Sequence, residues 1–273
     1  MNIKQTYKVL LLCALSTSLA AAAAEGEVTD SDRIAQYREM ISDGNPADFD
    51  EMRGEELWKT AAGPRQASLE KCDLGKGAGV LKGAYAELPR YFKDTQKVQD
   101  LESRLLTCMT TLQGFSEDEI AAKPFASEKK ASDISSLATY AVGQSKGIKM
   151  AVSTKHLKVK EAYEIGKRIF NYRAGPYDFA CSTCHATTGV RIRMQDLPNL
   201  SSNKKDAQTA YVSWPAYRVS QGLTRSFQWR LNDCFRQQRF PEPKFASEAT
   251  VALTTFLAVS ANGAEYVGPG LKR

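Results

Sequence analysis

Apolar residues recur at helical spacing in three stretches of this chain. From Lys160 to Tyr172, the apolar side chains that share one helical face are Ala162, Ile165, Ile169 and Tyr172. The same period runs through Ile134, Leu137 and Tyr140-Ala141, and again through Val251-Ala252, Phe256-Leu257 and Val259. The last stretch begins after Ser247, a residue type that caps helices, and stops before Gly263. The pattern predicts an all-α fold whose helices pack through these faces.

Two short sequence motifs each occur twice along the chain, in the same order. Arg104-Leu-Leu-Thr-Cys108 and Arg230-Leu-Asn-Asp-Cys234 share Arg-Leu-x-x-Cys, 126 positions apart. Phe-Ala-Ser-Glu occurs at residues 125–128 and again at 245–248, each time before a helical pattern. Chance recurrence is the alternative, but the common order favours a duplicated chain. We predict two domains, residues 54–143 and 144–273, with a glycine-containing linker after residue 143.

The first 53 residues differ from the rest. Lys4 and Lys8 precede a short uncharged apolar run, and small residues lead up to Ala24, as in an export signal. The run is too short to span a bilayer, and no later stretch is apolar enough. We predict a signal peptide over residues 1–24, a periplasmic protein and no membrane anchor. Residues 25–53 are acidic and polar, which predicts an N-terminal arm of solvated loop and short helix.

Cys181-Ser-Thr-Cys184-His185 carries the strongest chemical signal. In this pattern both sulfurs form thioethers with haem vinyl groups, and the adjacent imidazole ligates the iron. A redox dithiol, half of a zinc site and a disulfide are the alternatives. A zinc site needs a further Cys or His pair, whereas the chain has only two His and no second Cys-x-x-Cys. The motif predicts one covalently bound haem c in a cytochrome c domain, closed by the helix at 160–172 and the C-terminal helix.

The remaining cysteines allow one disulfide and one odd thiol. The chain has six cysteines, of which Cys13 leaves with the signal and two bind haem. In a duplicated chain, Cys72 stands where the first domain should carry its haem motif, yet no second Cys or His accompanies it. We therefore predict a first domain without haem, in which Cys72 and Cys108 face the emptied pocket and form a disulfide. Closing this loop would stabilise the fold by about 3–4 kcal/mol in the chain-entropy model. A surface disulfide without this history is the alternative.

The iron needs two axial ligands, and His185 supplies the first by adjacency. Pro198-Asn199-Leu200 resembles the segment whose proline carbonyl, in cytochrome c domains, accepts a hydrogen bond from that His. Cys234 is the odd thiol and lies 49 residues after His185, where cytochrome c domains commonly carry the distal ligand. It is the predicted distal ligand, and a buried or dimer-forming free cysteine is the alternative. The other candidates are His156 in a lysine-rich loop, Met150 in the linker and Met194, too close to His185.

Arg230 lies one helical turn before Cys234, so both side chains share a helix face. A guanidinium there can lower the thiol pKa and bind an oxyanion through several N–H donors. A thiolate ligand lowers the reduction potential relative to methionine. Arg236 and Arg239 add positive charge, although a solvated basic face is the alternative. The net charge of +6 comes without a basic run interleaved with aromatics, so nothing favours nucleic-acid binding.

At these residues the chain resembles the SoxA family, the c-type cytochrome subunit of the SoxAX complex of bacterial sulfur oxidation. The resemblance covers both predicted domains. It rests on the Cys181–His185 motif, on Trp214-Pro-Ala-Tyr-Arg218, and above all on the segment from Arg230 to Pro243. The missing first haem is similar to the single-haem branch of that family, in which a disulfide takes its place.

The resemblance implies an enzyme, an L-cysteine S-thiosulfotransferase. SoxAX couples thiosulfate oxidatively to a cysteine of the carrier SoxYZ and releases two electrons. Cys234 would be both haem ligand and persulfide-bearing catalytic residue, and Arg230 would bind the substrate. Electrons would leave through a SoxX-like cytochrome subunit to a small cytochrome c. A thiosulfate dehydrogenase and a plain electron-transfer cytochrome c are the alternative functions.

Overall fold

A computed structural model describes residues 44–127, 130–192 and 195–272 of the chain. All of them belong to one compact unit. The predicted signal peptide, most of the predicted arm and Met194 lie outside the described residues. Within these ranges, no helix has both the length and the apolar content needed to cross a bilayer.

Helices dominate the described residues. The α-helices are α1 (Ala47–Lys59), α2 (Leu101–Cys108), α3 (Glu117–Ala122), α4 (Asp133–Gly143), α5 (Leu157–Asn171), α6 (Cys181–His185), α7 (Lys204–Val212), α8 (Phe227–Gln237) and α9 (Glu248–Ser260). A 3₁₀ turn covers Tyr85–Glu87, and a π-helical turn, Met109–Gln113, continues α2. The cap and stop predicted around the last helix are present: Ser247 Oγ accepts from Thr250 N, and Gly263 has a positive φ.

Short strands accompany the helices, a feature that the all-α prediction did not include. They are β1 (Arg90–Phe92), β2 (Lys97–Gln99), β3 (Ala126–Ser127), β4 (Lys130–Ala131), β5 (Arg191–Ile192), β6 (Gln195–Asp196), β7 (Ala216–Arg218), β8 (Leu223–Arg225) and β9 (Gly270–Lys272). Successive strands pair as antiparallel hairpins, and β9 adds to β7 in parallel to give the order β8-β7-β9. With two or three residues each, they are too short to show a period-2 pattern in the sequence.

Two helix pairs, α1 with α4 and α5 with α9, carry the main packing. Each pair crosses at a glycine. A Cβ added at Gly54 would collide with the backbone carbonyl of Ser136, and one added at Gly166 would collide with that of Ala252. Aromatic pairs flank the two crossings: Trp58 with Tyr140, and Phe170 with Phe256. One hydrophobic core runs through both pairs.

These glycines explain two differences from the sequence prediction. The buried face of α5 is formed by Val159, Gly166 and Phe170, whereas Ile165 and Tyr172 are exposed. Glycine at the centre of the contact carries no apolar side chain, so the periodicity predicted the packed face only in part: of its residues, Ile169 does pack against the core. In addition, α1 begins at Ala47, inside the segment predicted as an arm, because Gly54 packs it against α4.

The structure repeats itself, as the duplicated sequence motifs predicted. We call residues 47–143 the first repeat and residues 157–260 the second repeat. Each contains a cis proline followed by a hairpin and a helix: Leu88-Pro89, β1, β2 and α2 recur 126 positions later as Trp214-Pro215, β7, β8 and α8. Earlier in each repeat, a loop closed by an Ala62–Ala67 bridge recurs 112 positions later, closed by an Ala174–Phe179 bridge.

The repeats meet at the N-termini of α2 and α8, which are capped by Asp100 and Ser226. Gln228 donates from Nε2 to Asp100 Oδ2 at 2.7 Å, and from its backbone N–H to Glu102 Oε1 at 3.0 Å. Gln228 and Glu102 occupy equivalent positions of the two repeats. Burial raises the pKa of both carboxyls, that of Glu102 to about 7, and the charge of Asp100 raises the pKa of Glu102 further. Hydrogen bonds from Gln228 and Ser226 oppose this rise only in part.

Glu102 therefore makes the protein less stable as the pH rises. Its pKa is about 7 in the fold against an ordinary 4.5, so its contribution is complete below pH 4.5 and is lost as the pH rises through 7. We expect Glu102→Gln, which gives α2 the residue that α8 carries, to leave the free energy of unfolding unchanged at pH 4. At pH 8 it should increase that free energy by on the order of 3 kcal/mol. Thermal unfolding at both pH values measures this, with the exposed Glu117→Gln as control; equal effects at both pH values would contradict it.

Candidate active site

The Cys-x-x-Cys-His motif forms α6, a single helical turn. The backbone N–H of Ala180 donates to Thr183 Oγ1 at 2.9 Å and so fixes the entry to the turn. Cys181 and Cys184 are three positions apart on this turn and therefore point to the same side. Both are half-buried free thiols. This is the arrangement that two thioether bonds to one haem require.

His185 is oriented by a hydrogen bond to the carbonyl of Pro198, with Nδ1 to O at 2.8 Å. The predicted bond to this carbonyl is thus confirmed. Since a carbonyl only accepts, Nδ1 carries the proton, and the lone pair of Nε2 is left for a metal. Burial lowers the pKa of His185, and the charge of Arg230 lowers it further, while the Pro198 bond opposes. The imidazole is therefore held neutral, as a ligand must be.

Asn199 holds the loop that carries Pro198. Its side chain is buried and bonds on both sides: Nδ2 donates to Ser202 Oγ at 2.8 Å and to Ala186 O at 3.3 Å, and Oδ1 accepts from Ser202 N at 3.0 Å. The loop also returns to the motif, because Leu200 N donates to His185 O at 2.8 Å. Asn199 thus ties the Pro198 carbonyl to the turn containing His185, a role that we did not predict.

Cys234 lies near the end of α8 as a free, half-buried thiol. Burial raises its pKa, Arg230 and Arg218 lower it, and Asp233 and Cys184 raise it. The predicted effect of Arg230 on the thiol is present, but burial outweighs it. Arginine alone therefore does not make Cys234 a thiolate, whereas coordination to a metal cation deprotonates a thiol outright.

The pKa shifts indicate that these groups are neighbours. The charge of Arg230 lowers the pKa of both His185 and Cys234, and Cys234 raises the pKa of Cys181. Burial, with the neighbouring cysteines, raises the pKa of Cys181 to about 12, so this thiol stays protonated until it is modified. The helix α8 thus places an unpaired thiol and a guanidinium beside the turn that carries the two motif cysteines.

Asp233 organises the basic residues of α8. It is only 4% exposed; Oδ2 accepts from Arg230 Nη1 at 3.2 Å, and Oδ1 accepts from Arg236 Nη2 at 2.6 Å. Arg239 lies beyond the helix, with its guanidinium over the ring of Tyr177. The signal for Asp233 was present in the sequence, since it stands three positions from each of two arginines on one helix.

The first repeat uses the equivalent positions for structure. Cys72 and Cys108 form a buried disulfide with a Cα–Cα distance of 5.6 Å. They stand 112 and 126 positions before Cys184 and Cys234, so the disulfide joins the same two elements that the second repeat brings together. Leu69, equivalent to Cys181, is fully buried.

Arg104, the equivalent of Arg230, is also built into the fold. It is 5% exposed, and its Nε donates to Asp73 O at 2.6 Å. Its Nη1 donates to Asp94 Oδ2 at 2.7 Å, and its guanidinium lies 4.0 Å from the centre of the Phe92 ring. Arg230 is more open, with 27% of its side chain exposed.

The other candidate ligands have structural roles. His156 accepts from Lys158 N to cap α5, and its ring stacks on Tyr91 at 4.1 Å. Met150 is buried in the hydrophobic core. Neither observation points to a bond with iron.

Comparison with known proteins gives a consistent result. The family described as SoxA/TsdA, cytochrome c domain, matches residues 53–150. An L-cysteine S-thiosulfotransferase subunit SoxA from Hydrogenophilus thermoluteolus is 50% identical over 273 residues, covering 99% of each chain. This chain belongs to the SoxA family. A second SoxA subunit, from Hydrogenobacter thermophilus, is 32% identical and covers 84% of this chain and 82% of its own.

The fold of a solved structure also agrees with that of this SoxA family member. The crystal structure of SoxXA from P. pantotrophus superposes with a TM-score of 0.71 at 22% identity. The match covers 87% of this chain and 84% of the other. Together with the family match over residues 53–150, it shows that the chain has a cytochrome c domain, as predicted.

The Asn199 network can be tested directly. We expect Asn199→Ala to release the Pro198 carbonyl and to weaken the orientation of His185, because several hydrogen bonds of a buried side chain are lost. The free energy of unfolding should fall by about 2–3 kcal/mol, and the haem absorption spectrum should change at a lower temperature than in the wild type. Absorption spectroscopy during heating measures both. Ser201→Ala, on the exposed side of the same loop, serves as control; if both variants behave alike, Asn199 does not hold the ligand.

Proposed function

We propose that this chain is the SoxA subunit of an L-cysteine S-thiosulfotransferase, which couples thiosulfate oxidatively to a cysteine of a SoxYZ-like carrier. The observation that carries the proposal is the unpaired Cys234 thiol beside Arg230, next to the Cys-x-x-Cys-His turn. A plain electron carrier needs no such thiol. The names of the full-length relatives favour the thiosulfotransferase over a thiosulfate dehydrogenase.

The residues fit one covalently bound haem c. Cys181 and Cys184 are free thiols on one side of α6, and His185 presents Nε2 because Nδ1 is held by Pro198. Cys234 would hold the iron together with His185. When bound, the haem accepts the electrons that sulfur oxidation releases.

Cys234 and Arg230 perform the sulfur chemistry. The overall step joins the carrier thiol to the terminal sulfur of thiosulfate: R–SH plus S₂O₃²⁻ gives R–S–S–SO₃⁻, one proton and two electrons. Cys234 would be the persulfide-bearing residue at which thiosulfate and the carrier thiol are joined. The guanidinium of Arg230, which contacts Asp233 through Nη1 and is 27% exposed, binds the sulfonate oxygens, a planar-fork recognition that arginine favours.

Two cytochrome c-like domains make up the fold, residues 54–143 without haem and residues 144–273 with it. The repeated elements support this division, and so does the family match over residues 53–150. In the first domain, Leu69, Cys72 and Asp73 occupy the positions of Cys181, Cys184 and His185. The Cys72–Cys108 disulfide takes the place of the haem, as in a single-haem member of the family.

The chain works with partners in the periplasm. A SoxX-like cytochrome subunit receives the electrons and passes them to a small cytochrome c. The related solved structure is a SoxXA assembly, which supports a partner of this kind. Thiosulfate is the small-molecule substrate.

The intact mass of the exported protein tests the haem count and the persulfide together. We expect the mass of one haem, plus one sulfur atom that disappears on reduction, because only one Cys-x-x-Cys-His motif and one unpaired thiol remain. Two haems on this chain would favour a thiosulfate dehydrogenase instead.

Removing the Cys234 thiol should separate haem attachment from sulfur transfer. Cys234→Ala should keep covalent haem, since Cys181 and Cys184 are untouched, but should abolish thiosulfate-dependent transfer to the carrier. Haem-stained gels and a transfer assay with SoxX-like and SoxYZ-like partners measure the two properties. Electron paramagnetic resonance should show the loss of a thiolate ligand. Full transfer activity in this variant would refute the role of Cys234.

A further inference from the structure

We propose that Asp233 is a positioning residue, which holds the guanidinium of Arg230 in place to receive the substrate anion. This inference rests on the proposed function of the site. It adds a residue whose carboxylate touches neither substrate nor iron and acts through Arg230.

The contacts of Asp233 form a clamp along one helix face. Arg230 Nη1 lies 3.2 Å from Oδ2, Gln237 Nε2 lies 2.7 Å from Oδ2, and Arg236 Nη2 lies 2.6 Å from Oδ1. With 4% of its side chain exposed, Asp233 is screened little by water, so its hydrogen bonds to charged donors are strong. The acceptor that the structure gives Arg230 among the described residues is Asp233.

The first repeat shows that this acid is not needed to build the fold. The equivalent of Asp233 is Thr107, whose Oγ1 accepts from Gln99 Nε2 at 2.7 Å and donates to Ser103 O at 3.1 Å. A threonine at this position is compatible with the same hairpin and helix. Asp233 is therefore specific to the repeat that carries the Cys-x-x-Cys-His motif.

A second difference between the repeats, in the turn of the hairpin, points to the reason why the second repeat has an acid at this helix position. In the first repeat, Arg104 is held from outside its helix by Asp94, in the turn between β1 and β2. The equivalent position in the turn between β7 and β8 is Ser220, which carries no charge. The carboxylate that binds the arginine thus lies in the hairpin in the first repeat and on the helix in the second. The two arginines are therefore held in different directions.

As a result, the guanidinium of Arg230 stays accessible to a ligand, whereas that of Arg104 does not. The side chain of Arg104 is 6% exposed, and its donors bind Asp73 O and Asp94 Oδ2. Arg230 is held through Nη1 along its own helix, and 27% of its side chain stays accessible. The helix clamp orders the side chain while leaving Nε and Nη2 for an oxyanion, which reduces the entropy lost on binding.

A positioning role for Asp233 and a purely electrostatic effect of its charge predict opposite changes in thiosulfate affinity when Asp233 is removed. Asp233 is an anion beside a site for thiosulfate, and its charge also raises the pKa of Cys234. If its charge were all that mattered, its removal would strengthen anion binding. If it positions Arg230, its removal weakens binding, because the guanidinium is no longer held.

Two variants test the clamp. Asp233→Asn keeps the size and removes the charge, and Ser220→Asp restores the hairpin carboxylate of the first repeat at an exposed turn. Ser220→Asn is the matched uncharged control. The dissociation constant for thiosulfate is measured by calorimetry on the oxidised, haem-loaded protein without carrier, and the haem absorption spectrum verifies the fold.

We expect the dissociation constant to rise about tenfold in Asp233→Asn and in Ser220→Asp, the loss of one charge-assisted hydrogen bond. Ser220→Asn should match the wild type. An unchanged or smaller constant in Asp233→Asn overturns the proposal. If that variant does not fold, Ser220→Asp decides: an increase relative to Ser220→Asn supports the clamp, and equal constants overturn it.

A structural readout separates this inference from the proposed function. A crystal structure of Ser220→Asp should show Arg230 turned to the hairpin, as Arg104 is, whether or not thiosulfate binds. Absence of thiosulfate binding in the wild type would defeat the function, whereas Arg230 remaining on Asp233 in the Ser220→Asp crystal would defeat the clamp.

Discussion

The close contact of two helix pairs at glycine is the constraint on which the rest of the structure depends. At Gly54 and Gly166 a single added carbon would collide with the backbone of the opposing helix. The close approach seats Trp58 on Tyr140 and Phe170 on Phe256. Because the loops leading to Cys72 and to Cys184 leave α1 and α5 directly, the crossings also fix where those cysteines lie.

The two repeats share the same arrangement of helices and hairpin but differ in the side chains that fill their interiors. In the first repeat the interior is filled by Leu69, a disulfide and a fully engaged Arg104. In the second repeat the equivalent positions carry free thiols and an arginine that remains accessible. The first repeat is thus an internal reference: contacts shared by both repeats build the fold, and contacts found only in the second relate to chemistry.

Sequence reasoning reached the parts of the molecule that depend on residue type and spacing. The haem motif, the partner carbonyl of His185, the duplication and the last helix all follow from short, specific patterns. It failed where a contact depends on the absence of a side chain, as at Gly166, or on strands of two or three residues. It also passed over Asn199 and Asp233, because their importance lies in several bonds made at once. Such bonds become visible only when the loop or helix around them has been placed in three dimensions.

The disulfide of the first repeat bears on iron supply. Cys72 and Cys108 close that repeat with atoms the chain already contains, so the step requires an oxidant and no metal. In the proposed function, only the second repeat waits for porphyrin to be delivered. Each copy of the protein then needs a single iron atom, and the covalent link that closes the first repeat forms without one.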